Sequence, residues 1–251
     1  MEATRNKLYF VSDAHLGSGA DTREREAELC RLLESMKADA QRLVLLGDMF
    51  DFWFTYKHTV PRGHIRLLGK LAELSDAGVE THYYIGNHDM WLFDYLREEA
   101  GTVMHSDPDI MEFDGKRFLV GHGDGLDRND RSYLRLRRLF RSRTCQWLFA
   151  RLSPSLTFPI ARRWSDTNKG SHRRNTAHGY GHRHGGIAEY CLKRLENEKF
   201  DYCVFGHMHM PTSTTLKAAN GREVQYVNSG DWLYHRTYAV YADGKLSLHK
   251  I

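Results

Sequence analysis

Short apolar runs that stop abruptly at a polar residue recur along the chain. They contain β-branched and aromatic residues and end at an aspartate, asparagine or histidine beside turn residues, in KLYFVSD, RLVLLGD, THYYIGNHD, RFLVGHGD and YCVFGHMH. Runs of this length and composition are typical of buried strands. The pattern therefore predicts at least five strands with polar side chains at their carboxyl ends.

Helical periodicity separates these strands. Behind an Asp/Thr start signal, DTREREAELCRLLESMKAD places Leu29, Leu32, Leu33 and Met36 on one helical face, and a second helix is predicted around residues 65–74. The alternation of strand and helix predicts a layered α/β domain. The closing segments REVQYVNSGDW, RTYAVYA and KLSLHKI predict an antiparallel sheet that completes a sandwich.

The periodicity changes after GDGLD. Residues 126–185 form long helical stretches rich in arginine, broken at Ser153, Pro154 and Pro159. We interpret this segment as a helical lid inserted into a single domain of residues 1–251.

Composition narrows the protein class. The chain has 251 residues, of which 41% are hydrophobic, enough for a sizeable core. No apolar run approaches the roughly 20 residues that span a bilayer, and the first residues lack the apolar centre of a signal peptide. We therefore expect a cytoplasmic protein. Its four cysteines are widely spaced, which predicts ordinary thiols rather than a zinc knuckle or disulfides.

Charge is distributed unevenly along the chain. The formal net charge is +4, yet residues 127–185 hold fourteen Arg/Lys against three Asp/Glu, about +11, which leaves about −7 for the rest. The inserted segment is therefore expected to meet anions.

Five predicted strand ends carry side chains of the metal-ligand type. In chain order these are Asp13 and His15, then Asp48, then Asn87, His88 and Asp89, then His122, then His207 and His209. Carboxylate, imidazole and amide donors suit divalent Mn, Fe or Zn. Any one alone would more commonly be a turn or cap residue, but α/β sheets bring the carboxyl ends of their strands to one edge. Five together predict a metal site.

The order D-x-H, G-D-x-x-D, G-N-H-D, G-H-G-D and G-H-x-H resembles the calcineurin-like metallophosphoesterase family. The matching segments are DAH (13–15), GDMFD (47–51), GNHD (86–89), GHGD (121–124) and GHMH (206–209). The resemblance implies a four-layer αββα sandwich with two divalent ions. One ion would bind Asp13, His15, Asp48 and His209, and the other Asp48, Asn87, His122 and His207, so that Asp48 bridges them.

Two ions about 3.5–4 Å apart would neutralise an anionic phosphodiester and lower the pKa of a bridging water. His88 is not needed as a ligand, so we expect it to stabilise the transition state or protonate a leaving oxygen. We assign Asp89 to the catalytic residues together with His88, and it either orients His88, caps a helix starting near MWLFDYL, or does both. Asp51 and Asp124 are candidate supports for the ligands. We expect His172, His178, His182 and His184 to be lid or surface residues rather than a third metal site.

The basic, apolar insertion has three interpretations. Arginines and aromatics suit a nucleic-acid surface, leucines and phenylalanines suit a packing face, and both together suit a lid that touches an anionic membrane. The many aliphatic residues near SPSLTFP favour the third, and no nucleic-acid partner is expected.

The insertion also resembles that of the UDP-2,3-diacylglucosamine hydrolases, a lipid A branch of the same family. The resemblance assigns substrate contacts to Asn87, His88, Tyr133, Arg137, Arg162, Ser165 and Asn168. It implies Mn²⁺ as the metal and hydrolysis of a lipid-linked UDP-sugar to UMP and a lipid sugar 1-phosphate, at the inner face of the cytoplasmic membrane.

Two other functions remain open. A soluble metallophosphodiesterase or phosphatase could act on nucleotides or phosphoproteins with the same ligands. A non-catalytic scaffold is disfavoured because every ligand position is filled. The oligomeric state is left open.

Overall fold

Two β-sheets packed face to face form the centre of the fold. The computed structural model describes residues 5–161 and 185–251. One sheet has the order β11-β10-β1-β2-β3-β4 and the other β5-β6-β7-β9-β8. The first contains β1 (Lys7–Val11), β2 (Ala40–Leu45), β3 (Glu80–Tyr84), β4 (Val103–His105), β10 (Thr237–Ala242) and β11 (Lys245–Lys250). The second contains β5 (Asp109–Phe113), β6 (Lys116–Gly121), β7 (Tyr202–Phe205), β8 (Thr212–Lys217) and β9 (Glu223–Asn228).

Helices cover both outer faces of the sandwich. Against the first sheet lie α1 (Thr22–Met36), α2 (Ile65–Asp76) and α3 (Tyr95–Ala100), and against the second lies α7 (Gly185–Asn197). Along β1, Tyr9 and Val11 join the helix-facing core, whereas Leu8 and Phe10 join the core between the sheets. This alternation has the strand period of two, so one strand serves two cores. The predicted αββα sandwich is confirmed.

The two predicted helices of the first layer are present where the periodicity placed them. Leu29, Leu32, Leu33 and Met36 of α1 are all buried, and α2 covers the predicted second helix. The four cysteines are buried or partly buried free thiols, as expected.

The prediction for the closing strands was wrong in its pairing. They do not form one antiparallel sheet: β9 lies in the second sheet, parallel to β7 and antiparallel to β8. The last two strands return to the first sheet, where β10 pairs with β1. Alternating polarity identifies a strand but not its partner, because pairing depends on residues more than 200 positions away.

The described part of the insertion consists of α4 (Arg131–Phe140), α5 (Arg143–Phe149) and helical residues 154–161, α6. Phe140, Phe149 and Phe158 pack against a cluster built on Phe54, Tyr56 and Trp91. The opposite face is open, since Leu139, Trp147, Leu148, Leu152, Leu156 and Ile160 are each more than half exposed. Among the described residues, no helix has the length and apolar character needed to cross a membrane.

Candidate metal centre

The polar residues predicted from the strand ends converge at one edge of the sandwich. Strands β1, β2 and β3 run parallel, as do β6 and β7, so their carboxyl ends point to the same side. The loops that follow them bring together three overlapping groups of donor side chains: Asp13, His15 and His209; His15, Asp48 and His88; Asp48, His122 and His207. Both sheets therefore contribute to one site.

The first group surrounds the Asp13 carboxylate. His209 Nε2 lies 3.3 Å from Asp13 Oδ1 and 3.3 Å from His15 Nε2. Asp13 Oδ1 is fully buried and has no hydrogen-bond partner among the described residues. Donor atoms that share one ion at about 2.0–2.3 Å must lie roughly 3–3.5 Å apart. The spacing and the unpartnered oxygen both fit a cation.

Asp48 links the group of Asp13, His15 and His209 to the group of Asp48, His122 and His207. Asp48 Oδ2 lies 3.4 Å from His122 Nε2 and 3.8 Å from His15 Nε2. Asn87 Oδ1 is 3.2 Å from His122 Nε2, so the amide reaches the same point. One carboxylate oxygen thus faces an imidazole from each group. This arrangement fits two ions bridged by Asp48, and the ligand assignment remains a prediction.

The electrostatics of the cluster favour positive charge. Burial disfavours the imidazolium form of His15, but the nearby carboxylates of Asp13, Asp51 and Asp48 outweigh it and raise its pKa to about 9. Burial likewise opposes protonation of His122, yet the charge of Asp48 raises its pKa to about 10. Carboxylates that hold protons this firmly on neighbouring imidazoles would attract a divalent cation in their place.

Hydrogen bonds on the far side of the imidazoles fix their orientation. His122 Nδ1 donates to the carbonyl oxygen of Leu46 over 2.7 Å, which directs Nε2 towards Asp48. His209 Nδ1 lies 3.2 Å from Asp231 Oδ2, which directs its Nε2 towards Asp13. Carboxylate and carbonyl partners of this kind strengthen histidine as a ligand.

Sequence analysis missed Asp231. The signal was present, because Asp231 follows strand β9 in VNSGDW, the same strand-then-aspartate pattern that identified Asp13 and Asp48.

Arg25, whose side chain supports the loop after β1, was also not predicted from the sequence. Its side chain is 1% exposed and donates to the carbonyl oxygens of Ala14, His15 and Ser18. The charge is paired with Asp21, so that carboxylate does not cap α1 as its position at the helix start predicted. An arginine in an amphipathic helix gives no sequence signal that it is buried.

The site loops adopt backbone conformations that few residues accept. Asp13, His15, Asp48, His207 and His209 all have φ between 42° and 68°, the left-handed region. Aspartate and histidine enter this region more readily than most non-glycine residues, and such outliers cluster at functional sites.

Two motif glycines are required by close approach. A Cβ on Gly86 would lie 2.1 Å from Asp48 Oδ1, and one on Gly206 would lie 2.6 Å from Asp13 Oδ2. Any larger residue would displace a carboxylate from the centre.

His88 lies at the rim of the cluster. Its Nδ1 donates to the carbonyl oxygen of Asp51 over 2.9 Å, and its ring meets His15 edge-on at 4.6 Å between centroids. Burial lowers the pKa of His88 below its usual value, and the charge of Asp48 opposes that shift. The orienting group on Nδ1 is therefore Asp51.

Asp89 lies within a network of buried hydrogen bonds around the GNHD loop. Its carboxylate is fully buried and accepts hydrogen bonds from Gly86 N, Phe50 N and the Tyr83 hydroxyl. The next helix, α3, begins only at Tyr95, too late for Asp89 to cap it. Burial, followed by the charge of Asp48, raises its pKa to about 6. These contacts hold the GNHD loop in shape, and the catalytic assignment of Asp89 stays a prediction.

A family model described as calcineurin-like phosphoesterase matches residues 7–211. The chain belongs to this family. It is 38% identical to a UDP-2,3-diacylglucosamine hydrolase of Porphyromonas gingivalis over 98% of both chains. Proteins of the same name from Aeromonas hydrophila (28% identity, 96% of this chain and 97% of the relative) and Edwardsiella ictaluri (30%, 90% and 85%) are also similar. Membership makes the protein a metal-dependent phosphoester hydrolase.

Within this phosphoesterase, the predicted substrate residues of the lid fall into two sets. Tyr133 and Arg137 lie on α4 beside the centre, where the Tyr133 hydroxyl and Arg137 Nε donate to Asp124 Oδ2 over 3.0 and 2.6 Å. Asp124 follows His122 by two residues, so these bonds attach the lid to the metal-binding loop. Arg162, Ser165 and Asn168 lie outside the described residues, as do the histidines at 172, 178, 182 and 184.

Proposed function

We propose that this phosphoesterase hydrolyses the pyrophosphate bond of UDP-2,3-diacylglucosamine, giving UMP and 2,3-diacylglucosamine 1-phosphate. The observation that carries the proposal is full-length similarity to proteins of that name, 38% identity over 98% of both chains, including the inserted lid. The site supports it, since two donor groups sharing Asp48 suit an anionic pyrophosphate.

Two Mn²⁺ ions fit the donor set of carboxylate, imidazole and amide. Asp13, His15, Asp48 and His209 would hold one, and Asp48, Asn87, His122 and His207 the other. When bound, such a pair neutralises phosphate charge and provides a hydroxide nucleophile at neutral pH. The chain's own contribution is to keep these donors buried and oriented, which the contacts of Leu46 and Asp231 accomplish.

His88 is assigned to the reacting phosphate. With Nδ1 held by the Asp51 carbonyl, Nε2 on the opposite edge of the ring is the nitrogen that contacts a phosphate or leaving oxygen. There it stabilises developing negative charge or delivers a proton. Asn87, the preceding residue, would contact the same phosphate while serving as a ligand.

The lid is assigned to the rest of the substrate. Tyr133 and Arg137 stand next to the metal loop and are only partly buried. The hydroxyl oxygen of Tyr133, as an acceptor, and the remaining guanidinium donors of Arg137 are assigned to the sugar and phosphate groups. Arg162, Ser165 and Asn168 complete this set. The whole insertion, residues 126–185, acts as one element of a single domain of residues 1–251.

The exposed face of the lid is assigned to an anionic membrane surface, on the cytoplasmic side where UDP-sugars are available. Leu148, Leu152, Leu156 and Ile160 are more than half exposed, and Arg151 covers the ring of Trp147 at 3.2 Å. Apolar side chains beside arginines suit the boundary between lipid headgroups and acyl chains.

The decisive experiment incubates the Mn²⁺-loaded protein with UDP-2,3-diacylglucosamine in mixed micelles and identifies both products by mass spectrometry. We expect UMP and the lipid sugar 1-phosphate in equal amounts. Chelation should abolish their release and added Mn²⁺ should restore it. Rapid hydrolysis of free nucleotides or a phosphopeptide, with no UMP from the lipid, would overturn the proposal in favour of a soluble phosphatase.

A further inference from the structure

A cavity lies beside the candidate metal centre. It has a volume of about 690 Å³ and lies where α3 and β4 face the lid helices α4 and α5. Its lining includes the apolar side chains of Met90, Phe93 and Met104 and the polar side chains of Arg97, Arg141 and Gln146. Cavities of a few hundred Å³ with a few polar groups among apolar ones are typical of small-molecule sites.

A narrow cleft joins this cavity to the metal-binding loop. The cleft shares Ile85 and Ser106 with the cavity and reaches His122 and Asp124 at its other end. Ile85 directly precedes the GNHD loop, so one short segment borders both spaces. The cleft holds only about 10 Å³, so it marks the side of the cavity that lies nearest the metal-binding loop.

The carboxyl-terminal half of α4 borders the cleft through Arg137. Arg137 contacts Asp124 at the metal end, and Arg141, one helical turn or about 6 Å further on, lines the cavity. Both arginines also pair with Asp107, which anchors the helix above the cleft.

Thr102 gives independent evidence for a ligand. The residue is fully buried and lines the cavity, and its Oγ1 has no hydrogen-bond partner among the described residues. A buried hydroxyl without a partner is destabilising, because no hydrogen bond offsets its removal from water. A ligand that supplies the missing hydrogen bond removes that cost.

We propose that this cavity binds the uridine half of the substrate, an inference that rests on the proposed function. Uracil is flat, with apolar faces and a rim of donors and acceptors. Phe93 and the methionines suit its faces, and Thr102 and Gln146 suit its rim. The two arginines suit the ribose hydroxyls. An acyl chain would leave the buried Thr102 hydroxyl without a partner, and the exposed leucines of α5 and α6 suit an acyl chain better.

The first test needs no catalysis. Methionine methyl groups are labelled with ¹³C and the metal-loaded protein is titrated with uridine. Met90 and Met104 should shift, while Met36, buried at the end of α1, and Met111, between the sheets, serve as internal references. Shifts produced by decanoate but not by uridine would identify an acyl site and overturn the proposal, as would no shift at all.

The second test uses product inhibition. A lost hydrogen bond to a bound ligand weakens affinity by roughly 2- to 10-fold. Thr102→Val and Gln146→Leu should each raise the inhibition constant of UMP by that factor and leave inhibition by the lipid sugar 1-phosphate unchanged. Thr215→Val, an exposed threonine of β8, is the matched control and should change neither.

The two proposals fail in different ways. Wild-type protein that releases no UMP from the lipid contradicts the proposed function, and the uridine titration still decides whether the cavity binds a nucleoside. Normal UMP release combined with equal weakening of both inhibitors, or of neither, contradicts the cavity assignment alone.

Discussion

The metal-binding edge and the lid differ in how deeply their side chains are buried. At the edge, Asp13, Asp48 and His122 are almost fully buried, and each has a defined neighbour within 3.5 Å. In the lid, neither α4 nor α5 contains a fully buried residue, and the outer apolar side chains face solvent. The contacts of the edge rely on short distances between charged groups. Those of the lid rely on the area of its exposed apolar surface. Changes at the edge should therefore act on all substrates, and changes in the lid on lipid substrates.

The largest effect is expected at Asp48, because its Oδ2 faces both donor groups. Asp48→Ala should lower the Mn²⁺ content from two ions per chain to none and reduce kcat by about 10³ or more, on lipid and small phosphodiester alike. Elemental analysis beside a rate assay provides the measurement. Asp76→Ala, at the exposed end of α2, is the control. One ion retained by the mutant would contradict bridging by Asp48.

His88 separates metal binding from chemistry within the edge. His88→Ala should keep both ions and lose about 10² in kcat, the usual scale for a lost acid or charge-stabilising group. His58→Ala, an exposed histidine in the loop before α2, should leave kcat unchanged. If metal content fell together with activity, His88 would be a ligand.

A substitution at Asp231 tests whether a residue that orients a candidate ligand also affects metal binding. Asp231→Asn keeps the size of the side chain but weakens its support of His209, so Mn²⁺ affinity at one site should fall by about 10- to 100-fold. Isothermal titration with Mn²⁺ measures the change, and saturating metal should restore the rate. Asp243→Asn, in the turn between β10 and β11, is the matched substitution. A loss that excess Mn²⁺ does not rescue would indicate a different role.

The smallest effect is expected on the lid face. The double substitution Leu156→Asp and Ile160→Asp should release the protein from anionic vesicles and lower kcat/KM for the lipid by about 10-fold. Hydrolysis of bis(p-nitrophenyl) phosphate should stay the same. Ile65→Asp replaces an apolar side chain that is 80% exposed on the far helix layer and should affect neither. Equal loss on both substrates would remove the distinction between lid and edge.

Strand positions and the candidate ligands could be predicted from sequence because both follow from local order. An apolar run that ends at Asp13 or Asp48 marks a strand and its carboxyl end in one stretch of chain. The partner of β10 could not be predicted, since it is β1, more than 200 residues earlier. The burial of Arg25 could not be predicted either. Its acceptors are backbone carbonyl groups, and these leave no pattern of residue types in the sequence.

The insertion shows a similar limit. Its composition predicted apolar and basic helices, but not which apolar residues turn inward. Phe140, Phe149 and Phe158 face the core, whereas Leu156 and Ile160 face outward, and that division depends on the shape of the aromatic cluster at Trp91. With both sets apolar, hydrophobicity alone does not distinguish a packing face from a free one.

The candidate ligands come from both sheets, so bound metal would act as a removable cross-link between them. Asp13 and Asp48 follow strands of the first sheet and His122 and His207 follow strands of the second, while Asp13 Oδ2 already accepts a hydrogen bond from the amide of His207. Ions held between them would tie together segments nearly 200 residues apart. Resistance to heat should therefore rise with free Mn²⁺, as for any ligand that binds only the folded chain.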